Sequence, residues 1–269
     1  MLVQGNERPE LFRPDHPPGA ICVASGELAR YPAFTESMLN VLRPKGTTIP
    51  WHAGLNVAAN FNNGVREGLA NGAQWVWIMG DDHEFEPDAL LRLLERDLDI
   101  VVPVVARRQP PFIPVLFKQP QEDTPRGQFP PYHWSELPPH GVHEVYTCGS
   151  AGMLIRRHVL EAMTDPWFET GHMGHEYTFE DTYFCVKAHQ AGFRIFADMD
   201  VQMDHWTPMS VRPVRHQGHW AVAVNLSATA QALLTAQSLI NLTHDPEAQE
   251  RTKARFDRDH AITKGESNA

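Results

Sequence analysis

The chain has 269 residues, 42% of them hydrophobic, with 33 acidic against 23 basic side chains, a formal net charge of −10 and a pI near 5.8. Length and apolar content suffice for one large packed domain with an appendage, while a surface of this sign repels nucleic acid and anionic membrane unless its charge is patchy. No run approaches the roughly 20 apolar residues that span a bilayer, residues 1–18 lack the apolar core of a signal peptide, and three cysteines without close spacing (Cys22, Cys148, Cys185) suit a reducing cytosol, so a cytoplasmic protein is expected.

Residues 1–18 read as a polar, proline-rich extended arm. The apolar run 19–24 is a buried strand that breaks at Ser25-Gly26-Glu27. Helical spacing follows over 34–42, and again over 56–71, where Val57, Phe61, Val65 and Leu69 recur before Gly72. Trp75 to Met79 is a core strand that stops at Gly80-Asp81-Asp82-His83. Pro87 opens a helix whose apolar face is Ala89, Leu90, Leu93 and Leu94. Residues 99–105 form another strand, in which Pro103 argues for an edge or a bulge.

Residues 106–145 are dense in proline with interspersed aromatics and histidines, and a long loop of this kind inside a domain is usually functional. The core resumes over 145–155, with helices expected over 156–163 and 181–192 and strands over 193–197 and 198–203. An amphipathic helix is expected from Asn225 to Leu242, then a charged tail. Alternating strands and helices argue for an α/β fold with a mainly parallel sheet flanked by helices, divided into an arm (1–18), a catalytic domain (19–224, with 109–145 as a proline-rich loop) and a C-terminal helical extension (225–269). Ligands of such sheets bind beyond the carboxyl ends of the strands, which is where Ser25-Gly26-Glu27 and Asp81-Asp82 fall.

Adjacent carboxylates after a buried strand repel one another unless a cation or hydrogen bonds compensate. Mg2+ and Mn2+ often take one or two carboxylates together with substrate phosphates. Gly-Asp-Asp is equally good turn chemistry. Glu180-Asp181 has two readings as well. Thr178-x-x-Asp181 is a capping-box pattern, or one carboxylate faces a cleft and takes a proton from an acceptor hydroxyl. His205 offers an imidazole that could complete a metal sphere begun by Asp82. Arg107, Arg108, Lys118, Arg212 and Arg215 are the cations available to neutralise a diphosphate. Gly149-Ser150-Ala151-Gly152 is a small-residue turn open to close approach by a ligand. His172-x-x-His175 with Glu176 is too loose for a zinc site and reads as loop.

The order of these features resembles the GT-A glycosyltransferases, in particular family 2-like enzymes, over residues 19–210. Residues 61–69 resemble the helix before the acidic strand; 75–88 the strand, its DXD-type motif and the following helix start; 148–157 the acceptor-side segment; 180–195 the Glu-Asp helix and its strand; and His205 falls where many members place a metal-binding histidine. The resemblance implies a Rossmann-like GT-A fold, a UDP- or GDP-sugar donor, Mn2+ or Mg2+ on its diphosphate, and transfer to a hydroxyl acceptor. Carried across, it implies Asp82 and His205 as metal ligands and Asp81 beside ribose or metal. It further implies Asp181 as base with Glu180 beside it, Ser25, Gly26 and Glu27 lining the nucleotide pocket, and Asn62 supporting that pocket.

Two departures stand out. Gly80 replaces the first aspartate of a triple-Asp run, and Phe61 stands where arginine is frequent, which leaves Arg107 or Arg108 to balance the phosphate. A single base fits inversion. Tyr132, Trp134, Trp167, Phe168 and Tyr177 are candidates to stack on an acceptor sugar, or to pack the loops. A glycan or small-molecule acceptor fits the acidic charge, and a local basic strip would still admit modified nucleic acid. The competing expectations are a metal-dependent hydrolase using the histidines at 172–175 with Asp81-Asp82, and a non-catalytic sugar-binding module on the same scaffold.

Overall fold

The computed structural model describes residues 11–13, 15–26, 31–54, 56–108, 112–122, 124, 128–173, 176–208, 210–216, 219–225 and 231–234. The chain divides into two compact units, Met1–Thr207 and Pro208–Ala269.

In the first unit the chain runs β1 (Ala20–Ser25), α1 (Pro32–Asn40), β2 (Trp51–Ala53), α2 (Val57–Ala70), β3 (Trp75–Gly80), β4 (His83–Phe85), α3 (Ala89–Glu95), β5 (Ile100–Val105), β6 (Val142–Val145), β7 (Met153–Arg156), α4 (Arg157–Ala162), α5 (Glu180–Gln190) and β8 (Ile195–His205). One sheet takes the strands in the order β2-β1-β3-β7-β5-β8-β4, with β6 also pairing β8. Alternation places Val76 and Ile78 in one core with Phe61, Val65, Leu160, Phe168 and Phe184. It places Trp75, Trp77 and Met79 in the other, with Phe34, Met38, Leu90, Leu93 and Leu94. Helices thus cover both faces. Gly68 lets α2 lie on the sheet, since a Cβ there would sit 2.6 Å from that of Ala20.

The sheet is mixed rather than mainly parallel. β1, β2, β3, β5 and β8 share one direction, but β7 is antiparallel to both β3 and β5 between them, and β4 and β6 are antiparallel to β8. β7 begins only at Met153, opposite Ile78, so β3 and β5 extend past it toward their carboxyl ends. The turn before it is tight: Gly152 has φ +66°, and a Cβ there would meet Met203 Sδ at 2.6 Å and Pro103 Cγ at 2.7 Å.

Pro103 lies in a central strand, and the irregularity expected there is found in its partner. The β5–β8 register shifts between Asp198 and Gln202, beside the residue with no N–H to donate. Residues 193–197 and 198–203 are accordingly not separate strands, since β8 runs unbroken from Ile195 to His205. The bulge also buries a charge. Asp198, with 0% exposure, receives Arg96 Nε at 2.7 Å and Arg96 Nη2 at 2.9 Å. The proline-rich segment is partly structured, with Leu116–Phe117 pairing Thr147–Cys148 and a 3-10 turn at Trp134–Glu136.

In the second unit Ser210–His216, His219–Asn225 and Gln231–Leu234 form an antiparallel three-stranded sheet. The helix expected over 225–242 is therefore strand at 225 and 231–234; its remainder and the charged tail lie outside the described residues. Alanine and leucine favour a helix there, but Val222 to Asn225 offer a ladder that outweighs local propensity. Among the described residues no helix is long and apolar enough to cross a membrane.

Candidate active site

The carboxyl ends of the five co-directional strands define one edge of the sheet, and most of the chemistry-bearing residues collect there. β3 ends at Gly80, a two-residue turn carries Asp81 and Asp82, and β4 then pairs with the end of β8, placing His83 opposite His205. Trp206 N–H continues that ladder by donating to the Asp82 carbonyl at 2.8 Å. Asp82 is thus held between β3 and β8.

Its side chain is surrounded by cationic and imidazole groups. His83 Nδ1 is 2.9 Å from Asp82 Oδ1, Arg108 Nη1 is 2.9 Å from Oδ2, and His205 Nε2 is 3.5 Å from Oδ2. Burial opposes the charge, but hydrogen bonds to His205 and His83 outweigh it and hold the Asp82 carboxyl far below the usual range. Gly80 belongs to this arrangement. A Cβ there would stand 2.9 Å from Asp82 Oδ1 and 3.4 Å from His83 Nδ1, so an aspartate at 80 would crowd the turn that brings Asp82 back over the strand.

The ring of His205 is oriented by the backbone. Its Nδ1 lies 3.0 Å from the Ala106 carbonyl, which only accepts, so Nδ1 carries the proton. Nε2 then faces Asp82 Oδ2 at 3.5 Å, where either a proton on Nε2 or a metal ion would bridge the two. A ligating histidine whose other nitrogen donates to a backbone carbonyl is a recurrent feature of metal sites. The His83 ring stacks on His205 at 4.5 Å between centroids, and the ligand atoms of Asp82, His83 and His205 all lie within 4.8 Å of one another. One carboxylate and two imidazoles fit a divalent transition ion.

Asp181 sits in the first turn of α5, whose N-cap residue is Phe179. Its Oδ1 accepts from Thr182 N at 2.6 Å. Burial first, and then the charge of Glu180, push its carboxyl up to about 6. Its Oδ2 lies 3.9 Å from where a Cβ on Gly149 would stand. Gly149 N donates to Val115 O at 3.1 Å, and Val115 N donates to Val105 O at 2.9 Å, one residue before the carbonyl that holds His205. Asp181 therefore stands against a turn tied to the same end of β5. Glu180 Oε2 meets Thr170 Oγ1 at 3.5 Å.

Further along the edge, Ser25 at the end of β1 is buried and accepts from Trp51 Nε1 at 2.6 Å, with Gly26 exposed beside it; Glu27 lies outside the described residues. Asp81 is buried. Arg107 is exposed beside Arg108, its backbone N–H bound to Ile113 O at 2.9 Å.

Several residues serve otherwise than expected. Asn62 spends its amide on the chain itself: Nδ2 donates to Phe168 O at 2.7 Å, and Oδ1 accepts from Trp167 N and Phe168 N at 3.0 and 3.1 Å. Trp167 and Phe168 are core residues, not acceptor platforms, and Phe61 is buried against Phe168 with ring centroids 5.4 Å apart. Lys118 pairs with Glu136, while Trp134 stays half-exposed. Of the 172–175 histidines, His175 lies outside the described residues. His83 is the site residue that sequence reasoning passed over. Its signal was an imidazole directly after two carboxylates at a strand end.

No family model matches the chain, and no curated protein matches it. The solved structures similar to it include the following two. One is A197 from STIV, with 12% identity over 74% of this chain and 99% of that one and a TM-score of 0.45. The other is GalNAc-T7 with UDP, GalNAc and Mn2+, with 11% identity over 74% of this chain and 44% of that one and a TM-score of 0.46. At such identities and scores neither likeness bears on function, which rests on the residues themselves.

Proposed function

We propose that the protein is a metal-dependent glycosyltransferase that moves a sugar from a UDP- or GDP-sugar donor to a hydroxyl acceptor with inversion. The supporting observation is the pairing, at one sheet edge, of an Asp-His-His ligand set with a carboxyl shifted toward neutrality. Asp82, His83 and His205 would hold the cation, and two nitrogen donors would favour Mn2+ over the oxygen-preferring Mg2+. A cation held there would supply charge to offset that building on the departing nucleoside diphosphate.

Asp181 takes the proton of the acceptor hydroxyl. With a pKa of about 6 it is ionised at neutral pH yet more basic than an ordinary carboxylate. Glu180 raises that basicity from the adjacent position. Ser25, Gly26 and Asp81 line the nucleotide side, and Arg108 lies within reach of the phosphates. One base on one side of the sugar favours inversion.

The test supplies a panel of UDP- and GDP-sugars with Mn2+ and a mixture of glycan and small-molecule acceptors, and follows release of the nucleoside diphosphate. Transfer that needs both Mn2+ and acceptor is expected. Cleavage by water alone, or turnover of phosphate esters without preference for sugar nucleotides, would replace the reading with a hydrolase. Nucleotide binding with no turnover, unchanged in Asp181→Asn, would leave a binding module.

A further inference from the structure

Arg108 follows β5 in the first unit, and its guanidinium reaches back to Asp82. Nη1 donates to Oδ2 at 2.9 Å. That oxygen is also the one His205 Nε2 faces at 3.5 Å, while Oδ1 is engaged by His83 Nδ1 at 2.9 Å. A divalent ion ligated by Asp82 and His205 therefore meets an oxygen whose charge is already compensated. Two cations on one carboxylate oxygen repel each other, so each weakens the hold of the other. Arg108 is built to yield: its side chain is 46% exposed against 20% for Asp82, and its stem is long. The adjacent Arg107 N–H is fixed to Ile113 O, so the guanidinium can move while its root stays in place. A guanidinium is also the side chain best matched to phosphate oxygens.

We propose that Arg108 is an exchangeable counter-cation. It neutralises Asp82 in the metal-free protein and, once a divalent ion engages Asp82, transfers to the diphosphate of the donor. The proposal rests on the functional reading above. Cation and donor binding are then coupled through one side chain: each draws Arg108 away from the position that opposes the other, and the coupling is reciprocal.

The experiment compares the wild type with Arg108→Gln and with Arg66→Gln, a charge-matched control that removes the exposed pair with Asp165. Uptake of Mn2+ is followed by the electron paramagnetic resonance of the free ion, with folding checked by circular dichroism. Arg108→Gln is expected to bind Mn2+ about fivefold more tightly, the equivalent of one partly exposed ion pair, and Arg66→Gln as the wild type does. At saturating Mn2+, UDP and GDP are then titrated by calorimetry, and the tighter of the two is expected to lose about tenfold in Arg108→Gln, as for one hydrogen bond to a charged group. Equal or weaker Mn2+ binding by Arg108→Gln overturns the exchange and leaves the metal site standing. Tighter Mn2+ binding with unchanged nucleoside diphosphate affinity overturns the transfer to phosphate. Folded wild type and variant that both take up no Mn2+, or Mn2+-loaded protein that binds neither UDP nor GDP, overturn the functional reading together with this one.

Discussion

Replacing Asp181 by asparagine should lower activity and raise stability at once, because the feature proposed to make it a base is a cost of folding. Its carboxyl stands at about 6 against an ordinary 3.8. Well below pH 3.8 the group is protonated in both folded and unfolded chains and contributes nothing. Between the two values the unfolded chain loses its proton while the folded chain keeps it, so stability falls as pH rises; above about 6 the deficit is constant. Two pH units at about 1.36 kcal/mol each give roughly 3 kcal/mol. Asparagine keeps an oxygen for Thr182 N and carries no charge, but its amide is also desolvated, so we expect a gain of about 1–3 kcal/mol. Urea unfolding of wild type and variant at pH 4, 6 and 8 should show the gain at pH 8 and most of it lost at pH 4. Transfer by the variant should fall about 10²–10⁴-fold, and wild-type kcat/KM should rise with pH through about 6. A variant no more stable than the wild type at pH 8 would refute the assigned environment, and one with ordinary turnover would remove Asp181 from catalysis.

Asp82→Ala and His205→Ala should each abolish Mn2+ uptake in the resonance assay with the fold intact; unchanged affinity in either would dismantle the ligand set. Asn62→Ala leaves Trp167 N–H, Phe168 N–H and Phe168 C=O without their partner, and a loss of about 3 kcal/mol or more is expected in urea midpoints, with Mn2+ affinity unaffected. Arg96→Ala strips the guanidinium from a fully buried Asp198 and should cost about 3–5 kcal/mol; a loss below 1 kcal/mol in the same titration would show that Asp198 is not held as a charge.

Two of the three residues that gather in the candidate metal cluster, Asp82 and His205, were legible before any fold was known. Asp82 and His205 stood out because each follows a strand-like run, and Asp181 because it belongs to an acidic pair opening a helix; such boundaries are local facts. The alternation that buries Trp75, Trp77 and Met79 on one face and Val76 and Ile78 on the other is equally local. Pro103 announced an irregularity through its missing N–H, though not that it would fall in the neighbouring strand.

What the sequence withheld was partnership. That β7 runs against β3 and β5, that β4 returns to set His83 across from His205, that Asn62 clasps Trp167 and Phe168, and that 231–234 join a sheet are choices among pairings. Each depends on segments remote in the chain and is settled by the hydrogen bonds and apolar contacts available once the chain is compact. Backbone propensity along one segment carries no record of which other segment will lie beside it. The candidate residues could therefore be picked out one by one, while the gathering of Asp82, His83 and His205 into one candidate cation site was decided only by tertiary pairing.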